Sequence, residues 1–399
     1  MPIPPSAQTL ETARELLLER LVPLADELVP LAELHGRVLA APACAAHDLP
    51  PFDNSAMDGY AVRAAEAGGE LPVSARISAG DDPAPLASGT AAAIATGAVL
   101  PEGADAVVPV ELSHELAGAV RFDGPVHVED HLRRQGADVA AGDELLAAGM
   151  RISALGLSGL ATSGLTEARC VRRPRVVLLV TGDELVAPGS PLKRGQIHES
   201  NSLLIAARCR QLGLDVVATE QVPDSLEQTT ALFASSLRRA DIVVSSGGVS
   251  MGPRDHVKPA LAALGVDQLF WRVAVQPGRP VWAGLCGRTL VLGLPGNPLS
   301  VLVGLELLLR PAANVLAGLA DPLPATLELE LATPLRRDGQ RTRALPARIV
   351  GRRAEPLRAE ASHQVARAAG ADGLVIVPPG DGELAAGSLV EVVPISPAT

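Results

Sequence analysis

The stretch Asp241–Leu261, DIVVSSGGVSMGPRDHVKPAL, decides the predicted fold of the middle of the chain. Residues 241–245 are mostly apolar and β-branched, which favours a short strand buried within a parallel sheet. Ser246, Gly247 and Gly248 follow, and consecutive glycines let the backbone turn sharply and present bare N–H groups to a ligand. The pattern therefore predicts a buried strand that ends in a sharp glycine turn, whose N–H groups would be able to bind an anion.

Asp255 follows this turn and precedes a predicted helix over residues 256–264. Free N–H groups together with one carboxylate suit an anion that is held with a divalent cation. An ordinary strand–turn–helix joint with a solvated Asp255 has the same local pattern, so this stretch alone leaves both interpretations open.

Strands and helices alternate on both sides of this stretch. Strands are predicted at residues 176–180, 214–219, 270–275 and 288–293, and helices at 200–212, 225–239 and 298–316. Such alternation predicts right-handed crossovers and a largely parallel sheet, in which ligands bind beyond the carboxyl ends of the strands. The unusual motifs all fall at such ends: TGDEL (181–185), PDS (223–225), SGGVSMGPRD (246–255), QPGRP (276–280) and LPGNPLS (294–300). Their shared position favours a ligand site over an ordinary joint.

The regions before and after this part of the chain do not show alternating strands and helices. Apolar residues at helical spacing predict an amphipathic helix over residues 9–21, and the Leu/Gly/Ser-rich segment 152–164 is expected to pack beside it. Residues 169–175 are expected to be a basic linker. Short β runs predict a compact β domain over residues 71–150 and a small four- or five-stranded barrel over residues 326–393.

Composition excludes several classes of function. The chain of 399 residues is long enough for roughly two or three domains. Hydrophobic residues make up 47% of it but aromatic residues only 2%, so base-stacking platforms for nucleic acids are not expected. The formal net charge of −11 likewise provides no electrostatic footprint for DNA or RNA.

The cysteine spacing, the N-terminal residues and the lengths of the apolar runs indicate the expected cellular location. The four cysteines lie far apart without a C-x-x-C pair, which argues against a zinc site or a disulfide framework and favours a reducing environment. The N-terminal residues lack the basic region of a signal peptide, and no uninterrupted apolar run is long enough to span a bilayer. We therefore expect a cytoplasmic protein with no membrane span and no nucleic-acid partner.

Three carboxylates follow three different strands of the predicted sheet: Glu184, Asp224 and Asp255. Converging carboxylates suit Mg²⁺, which keeps part of its water and binds one or two carboxylates together with phosphate oxygens. Arg279 supplies a planar, permanent positive charge for an oxyanion, and Ser300 lies where a predicted helix begins and N–H groups favour an anion. Neither a P-loop nor a dinucleotide-binding glycine motif is present.

Residues 47–63 are predicted to be a loop, because prolines and a glycine are interspersed with closely spaced polar groups. Asp53, Asn54, Ser55 and Asp58 would be able to point at one ligand. Asx-turn chemistry explains the same composition, so a purely structural role remains the alternative.

Eight segments, in order along most of the chain, resemble one family. They are PFDNSAMDGYAVR (51–63), IATGAVLPEGADAVV (94–108), RRQGADVAAGD (133–143), TGDELVAPG (181–189), GQIHESNS (195–202), GGVSMGPRD (247–255), QPGRP (276–280) and LPGNPLS (294–300). On these segments the chain is similar to the molybdopterin molybdenumtransferase family, of the MoeA type, which is itself similar to the C-terminal domain of gephyrin.

The resemblance implies a multidomain fold of the α/β plus β class. The implied parts are a linker and dimerisation domain (1–45 and 148–174), a β-rich domain (46–147), a central MogA-like α/β domain with a mostly parallel sheet (175–322) and a C-terminal β-barrel (323–399). It also implies a homodimer that inserts molybdate into adenylylated molybdopterin, with Mg²⁺-dependent release of AMP. The implied partners are a molybdopterin adenylyltransferase and molybdoenzyme acceptors.

The resemblance also implies site residues, position by position. The catalytic residues would be Asp58, Thr96 and Asp138 from the β-rich domain and Glu184, Asp224 and Asp255 from the α/β domain, of which Glu184 and Asp255 would hold the metal. The substrate-binding residues would be Thr181, Gly182, Asp183, Ser246, Gly247, Gly248, Gln276, Arg279, Pro295, Pro298, Ser300 and Ser362.

Two departures from the family pattern affect the oxyanion site. Gln276 and Arg279 stand where the family usually carries two lysines, and the loss of one charge would weaken the attraction of molybdate by about 1–4 kcal/mol. Pro346 stands where an arginine is usual, and Arg343 or Arg348 would have to substitute for it. A non-catalytic binding or scaffold homologue and a tungstate-preferring enzyme therefore remain alternatives.

Overall fold

The computed structural model describes residues 7–249, 255–359 and 361–395. A six-stranded sheet lies at its centre, in the order Asp215–Val222, Arg175–Thr181, Ile242–Ser246, Thr289–Leu294, Trp282–Cys286 and Asp267–Trp271. The first four strands are parallel, and the last two are antiparallel to their neighbours. The prediction of a largely parallel sheet is confirmed. Its antiparallel edge arises because only Gly287 and Arg288 join two of the strands, a connection too short for a crossover helix.

Three of the parallel strands, Arg175–Thr181, Ile242–Ser246 and Thr289–Leu294, are buried along most of their length because helices cover both faces of the sheet. Helices Asn201–Gln211 and Pro298–Leu316 pack on one face, and helices Leu226–Arg239 and Val257–Ala263 pack on the other. The helix Leu226–Arg239 begins with a side-chain cap, since Oγ of Ser225 accepts a hydrogen bond from the N–H of Gln228.

The helix Pro298–Leu316 has 19 residues and a mean hydropathy of 1.6, which by length and composition alone would suffice to cross a membrane. Within the fold, however, 89% of its apolar window is buried by other parts of the protein. Its two charged residues, Glu306 and Arg310, pair with each other, and Glu306 also pairs with Arg208 of the neighbouring helix. It therefore packs as a core helix of the α/β region.

The N-terminal helix, Leu10–Leu18, buries its apolar face in the core of the central sheet. The expectation that it would pack beside residues 152–164 is therefore wrong. That segment forms the helix Ala154–Thr162, which packs against a separate cluster that includes Leu34. The amphipathic pattern of the N-terminal helix predicts an apolar face but does not identify its partner.

A small three-stranded sheet joins the segments before and after the β-rich region. Its middle strand is Glu167–Val171, and its outer strands are Asp26–Pro30 and Val38–Leu39. Residues 169–175 are therefore not simply a linker, because the first three of them lie in the middle strand and two of these, Cys170 and Val171, are buried.

The β-rich region contains a six-stranded sheet in the order Ala106–Pro109, Gly59–Val62, Ala91–Ile94, Leu71–Ile77, Ala119–Phe122 and Ser113–Leu116. The loop predicted for residues 47–63 is wrong at its end, because Gly59–Val62 is a buried strand between two neighbours. Within the described residues, four further two-stranded pairs occur in different parts of the chain: Asn54–Ser55 with Leu132–Arg133, Ala43–Cys44 with Glu144–Leu146, Leu185–Val186 with Ile197–His198, and Leu335–Arg336 with Glu383–Leu384.

The C-terminal region is a closed barrel of five strands: Thr342–Val350, Arg353–Pro356, Leu327–Leu331, Leu389–Pro394 and Gly373–Val377. The ring closes because the first and last of these strands also pair with each other. The short strand Val275–Gln276 adds to the barrel in parallel and connects it to the central sheet. The predicted small barrel is confirmed.

Candidate active site

A cavity of about 370 Å³ opens beyond the carboxyl ends of the parallel strands. Seven of its lining residues were predicted site residues: Thr181, Gly182, Asp183, Glu184, Asp224, Gly247 and Gly248. Six were not predicted: Val222, Pro223, Thr229, His256, Val257 and Gly296. The half-buried Asp255 directly precedes His256 in the chain. The structure thus brings the loops after several strands to one place, as the strand-end rule predicts.

The turn after the strand Ile242–Ser246 requires glycine. Gly247 and Gly248 have φ angles of +87° and +70°, in the left-handed region that other residues rarely adopt. A Cβ on Gly247 would lie 2.3 Å from Oγ1 of Thr181, and one on Gly248 would lie 2.5 Å from a methyl group of Val257. The bare backbone therefore approaches the cavity wall more closely than any side chain would allow.

The carboxylates of the cavity are arranged in two ways. Asp183 and Glu184 are exposed, and the carboxylate of Glu184 folds back against Gly182, where a Cβ would lie 2.8 Å from its oxygens. The carboxylate of Asp224 lies 3.1 Å from Nε2 of His256. His256 therefore contacts a predicted catalytic carboxylate at the rim of the cavity.

Carboxylates at the cavity are the predicted ligands of Mg²⁺. Among the residues that the structure describes, no group of three or more His, Cys, Asp or Glu side chains is close enough to enclose a metal ion. Mg²⁺ does not need such a group, because it commonly takes one or two carboxylates and completes its shell with water and substrate phosphates. The oxygen-rich rim with Glu184 folded over a glycine fits that requirement, and the assignment of Glu184 and Asp255 stays a prediction.

Asn201 is a site residue that the motif analysis did not single out. Its side-chain amide donates hydrogen bonds to Oγ of Ser246 at 2.8 Å and to the carbonyl of Gly296 at 2.7 Å. Its own oxygen, Oδ1, is buried and has no hydrogen-bond partner among the described residues. The sequence offered one indication of its role, because Asn201 lies in the family-like segment 195–202 and begins a helix near the strand ends.

The residues predicted for the oxyanion do not line this cavity. Arg279 is exposed, and Ser300 is buried at the start of a helix with 3% exposure. The amide of Asn297 donates to the hydroxyl of Ser362 at 2.8 Å, and the N–H of Leu299 donates to the Ser362 carbonyl at 3.1 Å. Because Gly296 lines the cavity and its neighbour contacts Ser362, the 294–300 segment joins the two sets of residues.

Three further predicted residues occupy this neighbourhood. Pro295 is buried at the end of the strand Thr289–Leu294, and Pro298 is the first residue of the long helix. Gln276 is half-buried and pairs in register with Arg343 of the barrel. An arginine therefore lies beside the position where the family usually carries its first lysine.

The residues predicted from the β-rich domain lie elsewhere in the subunit. Oδ1 of Asp58 accepts hydrogen bonds from the N–H and the hydroxyl of Thr96, which lower the pKa of Asp58. Asp58 lines an open groove with Tyr60 and Glu115. Asp138 is exposed, and its N–H donates to the carbonyl of Leu49. None of the three predicted residues is among those that line the cavity beside Glu184 in the same chain.

Comparisons with known proteins agree with this architecture. Three family models match in order: the MoeA N-terminal region (domain I and II) at residues 8–164, a probable molybdopterin binding domain at 177–314, and the MoeA C-terminal region (domain IV) at 328–395.

Whole relatives match over most of their length. The chain is 39% identical to "Molybdopterin molybdenumtransferase 2" of Mycobacterium tuberculosis, over 91% of this chain and 94% of that protein. It is 36% identical to molybdopterin molybdenumtransferase of Haemophilus influenzae, over 78% of each chain. A crystal structure of the molybdopterin biosynthesis protein MoeA from Pyrococcus horikoshii superposes with a TM-score of 0.82 at 29% identity, and covers 98% of this chain and 100% of that one. The chain therefore belongs to the molybdopterin molybdenumtransferase (MoeA) family, which are transferases of molybdenum cofactor biosynthesis.

Proposed function

We propose that this protein inserts molybdate into adenylylated molybdopterin and releases AMP in a Mg²⁺-dependent step. The observation that carries the proposal is the cavity in which carboxylates from separate loops meet a turn made of two glycines. Anionic substrates need N–H donors and cations, and a phosphate-bound Mg²⁺ needs carboxylate oxygens. Both sets of groups lie at the same strand ends.

Each group has a proposed role. The turn binds a substrate phosphate oxygen through the N–H of Gly248, since the N–H of Gly247 already donates to the carbonyl of Leu294 at 2.9 Å. Glu184 and Asp255 would hold Mg²⁺, which when bound neutralises the phosphate charge as AMP departs. His256 keeps Asp224 oriented at the rim through their 3.1 Å contact. Arg279, exposed near Ser300, would attract the molybdate oxyanion.

The proposal includes a cytoplasmic homodimer. Asp58, which accepts hydrogen bonds from Thr96, lines a groove that is distinct from the Glu184 cavity of its own subunit. In a homodimer, the β-rich domain of one subunit would face the α/β cavity of the other and bring the two sets of residues together. Molybdopterin adenylyltransferase and molybdoenzyme acceptors are the proposed partners upstream and downstream.

AMP release from adenylylated molybdopterin tests the reaction, measured with and without Mg²⁺ and with and without molybdate. We expect release to require both. Asp224→Asn should slow it on the order of a hundredfold. Asp215→Asn is the matched control, because Asp215 lies exposed at the opposite end of the same strand, and it should remain within about twofold of the wild type. Equal activity of the two variants would contradict the proposed role of the cavity.

The replacements at Gln276 and Pro346 favour a second candidate, a homologue that binds molybdopterin without transferring metal, or one that prefers tungstate. Pro346 lies buried in the barrel strand Thr342–Val350, so it provides no charge to an oxyanion. The same assay separates these candidates when molybdate and tungstate are compared. Nucleotide binding without AMP release in either oxyanion would favour the binding protein, and release with tungstate alone would favour the tungstate enzyme.

A further inference from the structure

Trp271, the last residue of the edge strand Asp267–Trp271, contacts the chain on both sides of Asp255. Its indole N–H donates to the carbonyl of Val249 at 3.2 Å. On the other side of Asp255, Nζ of Lys258 lies 4.0 Å from the centroid of the Trp271 ring. One side chain therefore holds residues that precede and follow a predicted catalytic carboxylate.

Val249 is the residue that follows the two-glycine turn. Its side chain is buried with 1% exposure and packs so closely on the strand residue Gly293 that a Cβ there would lie 2.4 Å from it. Gly248, directly before it, lines the cavity. The hydrogen bond from Trp271 therefore fixes the backbone one residue beyond the cavity wall.

Lys258 lies in the first turn of the helix Val257–Ala263, three residues after Asp255. Partial burial lowers the pKa of its ammonium group, the Asp255 carboxylate opposes this effect, and Arg272 adds to it. Arg272 itself stacks on Trp271, with its Cζ 4.2 Å from the ring centroid. The aromatic face attracts both cations and keeps Lys258 within electrostatic reach of Asp255.

We propose that Trp271 is a positioning residue for the transfer reaction. It sets the geometry of the two-glycine turn through Val249 and the charge environment of Asp255 through Lys258. The inference rests on the proposed role of the cavity and adds a residue outside it. Because Trp271 is not among the residues that line the cavity, its loss should affect turnover more than substrate affinity.

The two tryptophans of the chain provide a matched pair of variants. Trp271→Phe removes the hydrogen bond to Val249 but keeps an aromatic ring for the two cations. Trp282→Phe removes a comparable hydrogen bond, 2.9 Å long, to Oε1 of Gln268 in the same sheet. The readout is molybdenum cofactor formed from adenylylated molybdopterin and molybdate, measured by reconstitution of a cofactor-free molybdoenzyme, alongside thermal unfolding of each variant.

We expect Trp271→Phe to lower kcat on the order of tenfold while KM for adenylylated molybdopterin stays within about twofold, and Trp282→Phe to change neither beyond about twofold. Equal behaviour of the two variants, whether both are active or both are impaired, would overturn the inference. The proposed function fails separately, if the wild type forms cofactor without Mg²⁺-dependent release of AMP.

A second measurement covers the case in which Trp271→Phe does not fold. Trp282→Phe leaves Trp271 as the only tryptophan, so its fluorescence reports on the turn beside the cavity. Saturating adenylylated molybdopterin should shift or quench this emission. Unchanged emission on binding would overturn the inference, because a residue that positions the cavity wall must sense its occupation.

Discussion

Oδ1 of Asp58 accepts one hydrogen bond from the N–H of Thr96 at 2.7 Å and a second from the hydroxyl of Thr96 at 3.0 Å. The two residues are 38 positions apart in sequence and meet because the strands Gly59–Val62 and Ala91–Ile94 pair antiparallel, with Gly59 opposite Ile94. Both donors favour the charged carboxylate, so the pKa of Asp58 lies below its ordinary value. The backbone donor makes the larger contribution.

Thr96→Val should raise the pKa of Asp58 toward its ordinary value but not fully, because the backbone donor remains. A lowered folded-state pKa contributes stability that is present above the unfolded pKa and is lost as pH falls through the folded pKa. The variant should therefore lose less stability on acidification than the wild type. NMR titration of the Asp58 carboxyl measures the pKa directly.

Thr90→Val is the control for this prediction. The Thr90 hydroxyl donates to the carbonyl of Ala87, in the turn before the same strand, and not to a carboxylate. It should leave the Asp58 titration unchanged. A Thr96→Val protein with the wild-type titration would show that the hydroxyl does not stabilise the charged form.

Glu306→Gln should destabilise the protein strongly. Glu306 is fully buried, and its carboxylate accepts from Nε and Nη2 of Arg208 at 2.6 and 2.8 Å and from Arg310 at 3.2 Å. Loss of the charge leaves Arg208 buried without its counter-ion, which costs about 3–5 kcal/mol. Urea denaturation measures the free energy of unfolding of the wild type and the variant. Glu330→Gln is the control, because the Glu330 carboxylate lies 3.8 Å from Arg353 in an exposed ion pair, and its loss should cost less than about 1 kcal/mol. Similar losses of unfolding free energy in both variants would contradict a special role for the buried Glu306 charge.

The elements that could be predicted from the sequence are those with a recognisable pattern of apolar residues along the chain. The strand Ile242–Ser246 begins with three β-branched apolar residues and is buried along its whole length, and such a run can be recognised in the sequence. Trp282–Cys286 escaped prediction because it is short and contains a glycine, and its place is set by the two-residue turn that follows. Gly59–Val62 escaped prediction because the polar residues that precede it have the composition of a loop.

The site, too, has features that could be predicted from the sequence and others that could not. Carboxyl ends of parallel strands meet at one edge, so motifs that follow strands were expected to converge, and those around Thr181, Asp224 and Gly247 line one cavity. The contact between Asp224 and His256 and those of Asn201 were not foreseeable. They depend on distances between residues that are remote in sequence, which neither periodicity nor motif spacing encodes.

Arg343→Gln should raise the KM for molybdate, because Arg343 pairs in register with Gln276, so that its backbone lies about one strand spacing away. Its guanidinium donates to the carbonyl of Arg336 and keeps its positive charge on this side of the barrel strand. Loss of this charge should raise KM for molybdate about three- to tenfold with little change in kcat. Arg348→Gln is the control, since Arg348 is exposed five residues further along the same strand. An unchanged KM in Arg343→Gln would show that Arg279 alone attracts the oxyanion.

Asn201 joins three segments of the cavity, and its removal should separate them. Its amide connects the end of one parallel strand, at Ser246, to the carbonyl of Gly296 in the loop after the next. Asn201→Ala removes both bonds and should lower kcat/KM for adenylylated molybdopterin on the order of ten- to a hundredfold, because the loops that bear the N–H donors lose their common support. Asn201→Asp should be at least as harmful, since it places an acceptor against the Gly296 carbonyl. Ser202→Ala, which removes only a local bond to Glu199, should keep full activity, and an Asn201→Ala enzyme as active as Ser202→Ala would show that the cavity does not depend on this amide.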